Sequence, residues 1–290
     1  MSLAINNNVA SMTAQHNLQR TSSALARSLE RLSSGMKINR GADGPAALVI
    51  SEHHRAQIAG LQAAIENSEK AVSMVQTTEG ALSEMNSLLV KIRSLVVDSA
   101  NEGVNDTNSL AANQAEITNA LDTIDRIATN TQFGTKKLLD GSASTADGGA
   151  DLVFQIGPNA SQTASIAVSK SNPDSIGVVA GNQFASLADI DVTAAGAATD
   201  ALAVVDQAID DVTNLRGDLG AFQVNTLEST ANNLRATLEN TVNAESVIRD
   251  TDFAMETANF TKNQVLVQAG TTVLSNANQV PQLVLALLGR

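Results

Sequence analysis

The sequence predicts a mainly α fold, an elongated antiparallel bundle of long, coiled-coil-like helices whose terminal helices pair, with a small β-hairpin in the middle. Three observations carry this. Apolar residues recur at seven-residue spacing near both ends and through residues 46–100. Aromatics make up only 2% of the chain, six Phe with no Trp or Tyr, so Ala, Val, Leu and Ile must supply the core, and such side chains suit helix-on-helix packing. One short stretch, near residue 155, alternates with the period of a strand.

Taken in order, Leu18, Leu25 and Leu32 fall seven apart, with Ser22 and Leu29 between them, and predict an amphipathic helix over 5–34. A stripe this narrow is marginal alone in water and must dock against a partner. Gly35 ends the pattern, and Pro45 suits the first position of the next helix. That helix, 46–100, carries Ile58, Ile65 and Val72 in one heptad series and Leu61, Ser68, Val75, Leu82, Leu89 and Val96 in another. It would span about 80 Å at about 1.5 Å per residue. A polar break at 101–108, with Asn105 or Asp106 as cap, precedes a third helix near 109–129 bearing Ile117, Leu121, Ile124 and Ile127.

Leu152, Phe154 and Ile156, then Ile166 and Val168, predict a β-hairpin over 151–169 turning at Gly157-Pro158-Asn159. Residues 170–198 read as loop that could hold short strands. Leu202, Val205, Ile209, Val212 and Leu215 open a helix continuing to about 240, and a connector near 243–250 leads to a terminal helix. There Leu266, Val273, Val280 and Leu287 fall seven apart, and Pro281 is expected to kink or loosen the turn. Two narrow stripes at opposite ends, each short of a partner, most simply pair. The expected domains are 1–44 plus 243–290, and 45–180 plus 181–242, with no large outer domain.

A net charge of −12 and a pI near 4.6 argue against nucleic acid and anionic membranes as partners. No run approaches the roughly 18 apolar residues of a spanning helix, and the start lacks the basic and apolar regions of a cleaved signal peptide. Absence of Cys removes disulfides, thiolate nucleophiles and Cys-based metal sites, and suits a cytoplasmic protein or one threaded unfolded out of the cell. His53 and His54 are adjacent and point about 100° apart on a helix, and His16 stands alone. Asp210-Asp211 and Asp250/Asp252 lack calcium-site spacing, and the Gly-rich stretches 41–44 and 141–149 lack the Lys-Ser/Thr of a phosphate loop. No catalytic, cofactor-binding or metal-binding residues are expected, and no enzyme.

Residues 29–39, Leu-Glu-Arg-Leu-Ser-Ser-Gly-Met-Lys-Ile-Asn, resemble the amino-terminal signature of bacterial flagellin. So do Gln76-Thr77-Thr78-Glu79-Gly80-Ala81-Leu82, Gln114-Ala115-Glu116-Ile117 and Phe154-Gln155-Ile156-Gly157, followed by Arg249-Asp250-Thr251-Asp252 and Ala277-Asn278-Gln279-Val280-Pro281-Gln282. The resemblance covers roughly residues 1–170 and 200–290. It implies an extracellular flagellar filament subunit, exported unfolded through the flagellar type III apparatus. The implied partners are copies of itself, an export chaperone, the filament cap and hook-junction proteins. It further implies an inner tube of terminal helices and an outer layer of long helices and hairpin, with Ser and Thr near 142–171 as glycan sites. The alternative within the superfamily is a hook-filament junction protein.

By the same resemblance, Lys91, Arg93, Leu95 and Glu116 match the patch recognised by Toll-like receptor 5. Position 91 holds Lys where the family motif holds Arg, which removes planar bidentate hydrogen bonding. Receptor recognition therefore stands against a reading of Lys91 and Glu116 as solvated helix residues or contacts between subunits. The expected mechanism is assembly through heterologous contacts whose rotation does not close, along a seam of Leu18, Leu25, Leu29, Leu32, Leu266, Val273, Val280 and Leu287. Those stripes are expected to stay wet, and their helices unordered, until copies stack around them.

Overall fold

The computed structural model describes residues 8–101, 103–194 and 196–288, with side chains as far as Gln279. The described residues form α1 Val9–Ser34, α2 Pro45–Ser99, α3 Thr107–Asn130, α4 Ala197–Ala221, α5 Ser229–Arg249 and α6 Phe253–Leu288. Two antiparallel hairpins join them, β1 Gln132–Phe133 with β2 Lys136–Lys137, and β3 Leu152–Gln155 with β4 Thr163–Ile166. The chain divides into a terminal unit, Met1–Ile58 with Glu239–Arg290, and a central unit, Ala59–Leu238.

The central unit holds a continuous core. Every member of the heptad series Leu61, Ser68, Val75, Leu82, Leu89 and Val96 is buried along α2. From Ala71 onward this face meets Ile117, Leu121 and Ile124 of α3 and Val204, Val205, Ala208, Val212 and Leu219 of α4 in one apolar cluster. Each fully buried Leu or Ile contributes roughly 1.5–3 kcal/mol relative to exposure. Ser68 survives in this dry row because its hydroxyl donates to Ala64 O one turn back at 2.9 Å. Of the two candidate caps, Asp106 takes the role: its carboxylate accepts from Ser109 N and Oγ, both at 2.7 Å, and those bonds hold its pKa below the ordinary value.

α4 and α5 are joined by a π-helical turn, Phe222–Glu228, rather than by uninterrupted α-helix. The spacing explains it. Val205, Val212 and Leu219 follow the seven-residue phase, but the next buried positions, Leu227 and Leu234, resume it after eight. The wider turn absorbs the extra residue and keeps Leu227 and Leu234 inside. Phe222, opening that turn, meets Phe154 of β3 with ring centroids 6.1 Å apart.

Several sequence expectations need correction. The β1–β2 hairpin was not foreseen; its strands are two residues long, too short for an alternating pattern to register, and Gly134 at φ 64 makes the turn. The connector near 243–250 is shorter than expected. Helix α5 runs to Arg249, and Asp252 starts α6 by accepting from Ala254 N and Met255 N. α6 continues helically past Pro281, whose side chain lies outside the described residues.

Among the described residues of 170–196 there is no strand, only a 3-10 turn, Leu187–Asp189. This segment buries Ile176, Phe184, Leu187, Ile190 and Val192 against the core. Gln114 of α3 holds it as a strand would: its Nε2 donates to Ile190 O, and its Oε1 accepts from Val192 N, each at 2.9 Å. Replacing Gln114 by Ala leaves both backbone groups unanswered. We expect Gln114→Ala to destabilise the central unit by about 1–3 kcal/mol in chemical denaturation and to open residues 186–193 to limited proteolysis.

Candidate assembly surface

The terminal unit is built on α1 packed antiparallel against α6. Asn8 Nδ2 donates to Ala277 O at 2.8 Å and Ser11 Oγ to Asn278 Oδ1 at 2.6 Å, while Arg31 Nη1 lies 3.6 Å from Glu256 Oε2 at the other end. Glu256 is nearly buried, and Arg31 supplies the countercharge that makes this tolerable. Midway, Leu18 sits so close to Gly270 that a Cβ there would lie 3.2 Å from Leu18 Cδ1, so the small residue sets the helix spacing.

Burial shows which faces meet. On α1 the half-buried or buried positions Ser11, Ala14, Leu18, Thr21, Leu25, Ser28 and Leu32 form a heptad row. On α6 the matching row is Glu256, Phe260, Asn263, Val267, Gly270, Leu274 and Ala277. Leu18, Leu25 and Leu32 of the expected seam therefore face α6 within the chain. Leu29, Leu266 and Val273 do not: they are 56%, 45% and 56% exposed. Val280 and Leu287 lie outside the residues whose side chains are described. Sequence reasoning missed Val267 and Leu274, although they too are seven apart; they are offset by one position, about 100° around the helix, from the more conspicuous Leu266 and Val273.

The remainder of the unit is wet. Ile38 is its only buried hydrophobic residue among those described, whereas Val9, Met12, Val49, Ile50, Val247, Phe253, Met255 and Val265 join the exposed apolar set. Among the described residues, α1, α6 and the adjoining ends of α2 and α5 thus enclose no core of their own. The connectors are nevertheless tied. Lys37 N donates to Arg249 O at 2.7 Å and Thr251 N to Gly35 O at 3.0 Å, and Gly35, at φ 72, caps α1 by donating to Arg31 O. Arg249 Nη1 donates to Glu52 Oε1 at 3.0 Å and Ser51 Oγ at 3.3 Å, and its Nε reaches Met36 Sδ at 3.1 Å.

Charge separates along the same division. Residues 59–238 hold 9 Lys and Arg against 22 Asp and Glu, a formal charge of −13, while the rest of the chain holds 9 against 8. The four residues matched to a receptor patch lie in the acidic unit. Lys91 pairs with Glu116 at 2.5 Å, and Leu95, one turn on from Lys91, packs partly buried against the core. Arg93, two residues along and therefore on another side of α2, is held by Asp206 of α4 at 2.6 Å, a contact that raises its pKa. Among the described residues no group of three or more His, Cys, Asp or Glu is placed to hold a metal, and no helix is long and apolar enough to cross a membrane.

These features define a class of helical structural protein with paired ends and apolar surface left uncovered. Residues 5–144 match the bacterial flagellin N-terminal helical region, and residues 202–288 the C-terminal helical region. The flagellin of Bacillus subtilis (strain 168) is 43% identical over 304 residues, covering 99% of this chain and 100% of that protein. The flagellar filament 30.7 kDa core protein of Treponema maltophilum is 38% identical over 287 residues, with the same coverage. A Vibrio parahaemolyticus protein described as flagellar hook-associated shares the fold alone, with a TM-score of 0.58 and 12% identity over 71% of this chain and 99% of that one. The chain belongs to the bacterial flagellin family. It is a structural subunit of the extracellular flagellar filament, which associates with copies of itself, and not an enzyme.

The connector carries a pH dependence. Hydrogen bonds from Arg55 and then Arg249 hold the Glu52 carboxyl below its ordinary value of 4.5. A carboxyl depressed in the folded chain contributes above its unfolded pKa and loses that contribution as pH falls through the folded one. Amide exchange at residues 35–37 and 249–251 should accelerate as pH drops below 4.5, after correction for intrinsic rates, and Glu52→Gln should flatten that response.

Proposed function

We propose that the terminal unit is the polymerising element of the filament and that its exposed apolar faces become its core only between copies. The observation that carries this is the contrast between Ile38, the one buried hydrophobic residue of the unit among those described, and exposed residues such as Leu29, Leu266 and Val273. Surface of that kind on a helix pair is unfavourable in water and favourable in a stack. The α1–α6 seam covers one face of each helix, and a neighbour covers another. Folding of the ends and polymerisation are then one event. Contacts are heterologous, one face meeting a different face of the next copy, so the assembly extends as an open helix. In domain terms, the terminal segments act as the assembly module and the central unit as the module they carry.

Further partners follow from this reading. Ends that remain wet in a lone copy need cover before assembly, which is the task of an export chaperone, and a cap and hook-junction proteins bound the polymer. A cysteine-free chain has no cross-links to impede passage unfolded through a type III apparatus. For Toll-like receptor 5 the candidate contact is Lys91, Leu95 and Glu116, with Arg93 standing apart in its bond to Asp206. The receptor would have to displace the Lys91–Glu116 pair, a modest cost for two exposed side chains.

Ser substitution of Leu266 and Val273 tests the proposal without touching the α1–α6 seam. Burying each side chain is worth about 1.5 kcal/mol or more, so Leu266→Ser/Val273→Ser should raise the critical concentration for polymerisation about a hundredfold while leaving monomer helicity unchanged. Deleting residues 1–34 or 252–290 should leave a folded central unit that forms no filaments. Filaments of ordinary stability from either deletion would contradict the proposal.

A further inference from the structure

The charge division raises a difficulty for any stack of these chains, because each copy brings a central unit of formal charge −13. Like-charged surfaces repel within a Debye length of about 8 Å at physiological salt. Four of the nine cations of this unit are already spent internally: Lys91, Arg93 and Arg235 each hold a carboxylate at 2.5–2.6 Å, and Arg216 lies 3.5 Å from Glu79. The β1–β2 hairpin differs. Lys136 has no carboxylate within 4.0 Å among the described residues, Lys137 reaches Asp140 only at 4.0 Å, and nearby Lys70 reaches Glu66 only at 3.9 Å.

The same place exposes apolar surface. Lys136 is the direct cross-strand partner of Phe133, so the two share one face of the hairpin. Phe133 is 38% exposed and, with Val153 at 62%, Lys70 and Met74, lines a groove of about 240 Å³. Leu138 and Leu139, both fully buried, pin the hairpin to the core and hold it ready-formed. An exposed aromatic beside Lys136, with Lys70 and Lys137 only loosely paired, on a unit otherwise strongly acidic, fits a carboxylate-bearing surface.

We infer that the face of β1–β2 carrying Phe133 and Lys136, with the groove beside Lys70 and Val153, docks the acidic central unit of a second copy. This rests on the polymerisation reading above and adds a second kind of contact to it. The ends supply apolar burial, and the hairpin supplies charge-complementary registration of units that would otherwise repel.

The test measures the critical concentration of purified full-length chain seeded with filament fragments, at low and at about 1 M salt, with circular dichroism confirming an unchanged monomer fold. Lys136→Glu should raise it about tenfold at low salt, with the effect fading at high salt, and Lys136→Arg should behave as wild type. Phe133→Ser should raise it at both. In filaments of mixed 14N and 15N chains, carbodiimide should join Lys136 to a carboxylate within residues 59–238 of a different copy. The inference is overturned if Lys136→Glu and Phe133→Ser both polymerise as wild type at low salt, or if Lys136 cross-links only within its own copy. Leu266→Ser/Val273→Ser, run alongside, separates the two ideas: its failure to polymerise while the hairpin variants succeed removes only this inference, whereas ordinary polymerisation of all three removes the reading beneath it.

Discussion

A pair of helices offers one seam to bury, and the terminal unit has more apolar surface than one seam can take. Leu18, Leu25 and Leu32 meet Val267 and Leu274, and that consumes the facing rows. Leu266 and Val273, each beside a seam residue but turned about 100° away, remain about half exposed among the described residues. Compact domains stack at least two layers around a shared core, and the α1–α6 pair by itself falls short of that. Among the described residues, apolar burial is therefore sparse in the terminal unit and continuous in Ala59–Leu238, where α2, α3 and α4 with residues 170–194 enclose one core. The proposed function uses this combination: one part that keeps its structure alone and another that gains structure from its neighbours.

Electrostatics follows the same partition. The near-neutral terminal unit does not resist close packing of its copies, whereas the acidic central unit favours water and resists uncontrolled association. Screening by salt weakens that resistance. In the proposed assembly, apolar burial is opposed by a repulsion that salt screens.

Much of the fold was legible because heptad spacing translates directly into helix and seam. Pro45 opened α2, Asp106 capped α3, and the α2 series from Leu61 to Val96 proved buried throughout. The β3–β4 hairpin was legible from alternation. What escaped has a common physical cause. The π turn at Phe222–Glu228 answers a single extra residue between Leu219 and Leu227, a phase slip visible only when buried positions are known. β1–β2 is too short to carry a period, and the clamp by Gln114 on Ile190 and Val192 joins residues 76 and 78 apart with no local signal. On the terminal helices the heptads were seen but their rotation was not: two apolar rows run side by side along α6, and spacing alone does not say which one faces α1.

The central claim, that the ends of this flagellin-family chain acquire their core from other copies, is tested most directly by hydrogen–deuterium exchange mass spectrometry on the lone chain and on the filament. Rapid exchange is expected through α1 and α6 in the lone chain, with strong protection of both in the filament and little change in α2 to α4 within Ala59–Leu238. Equal and strong protection of α1 and α6 in the two states would contradict it, since helices already stable alone would owe nothing to their neighbours.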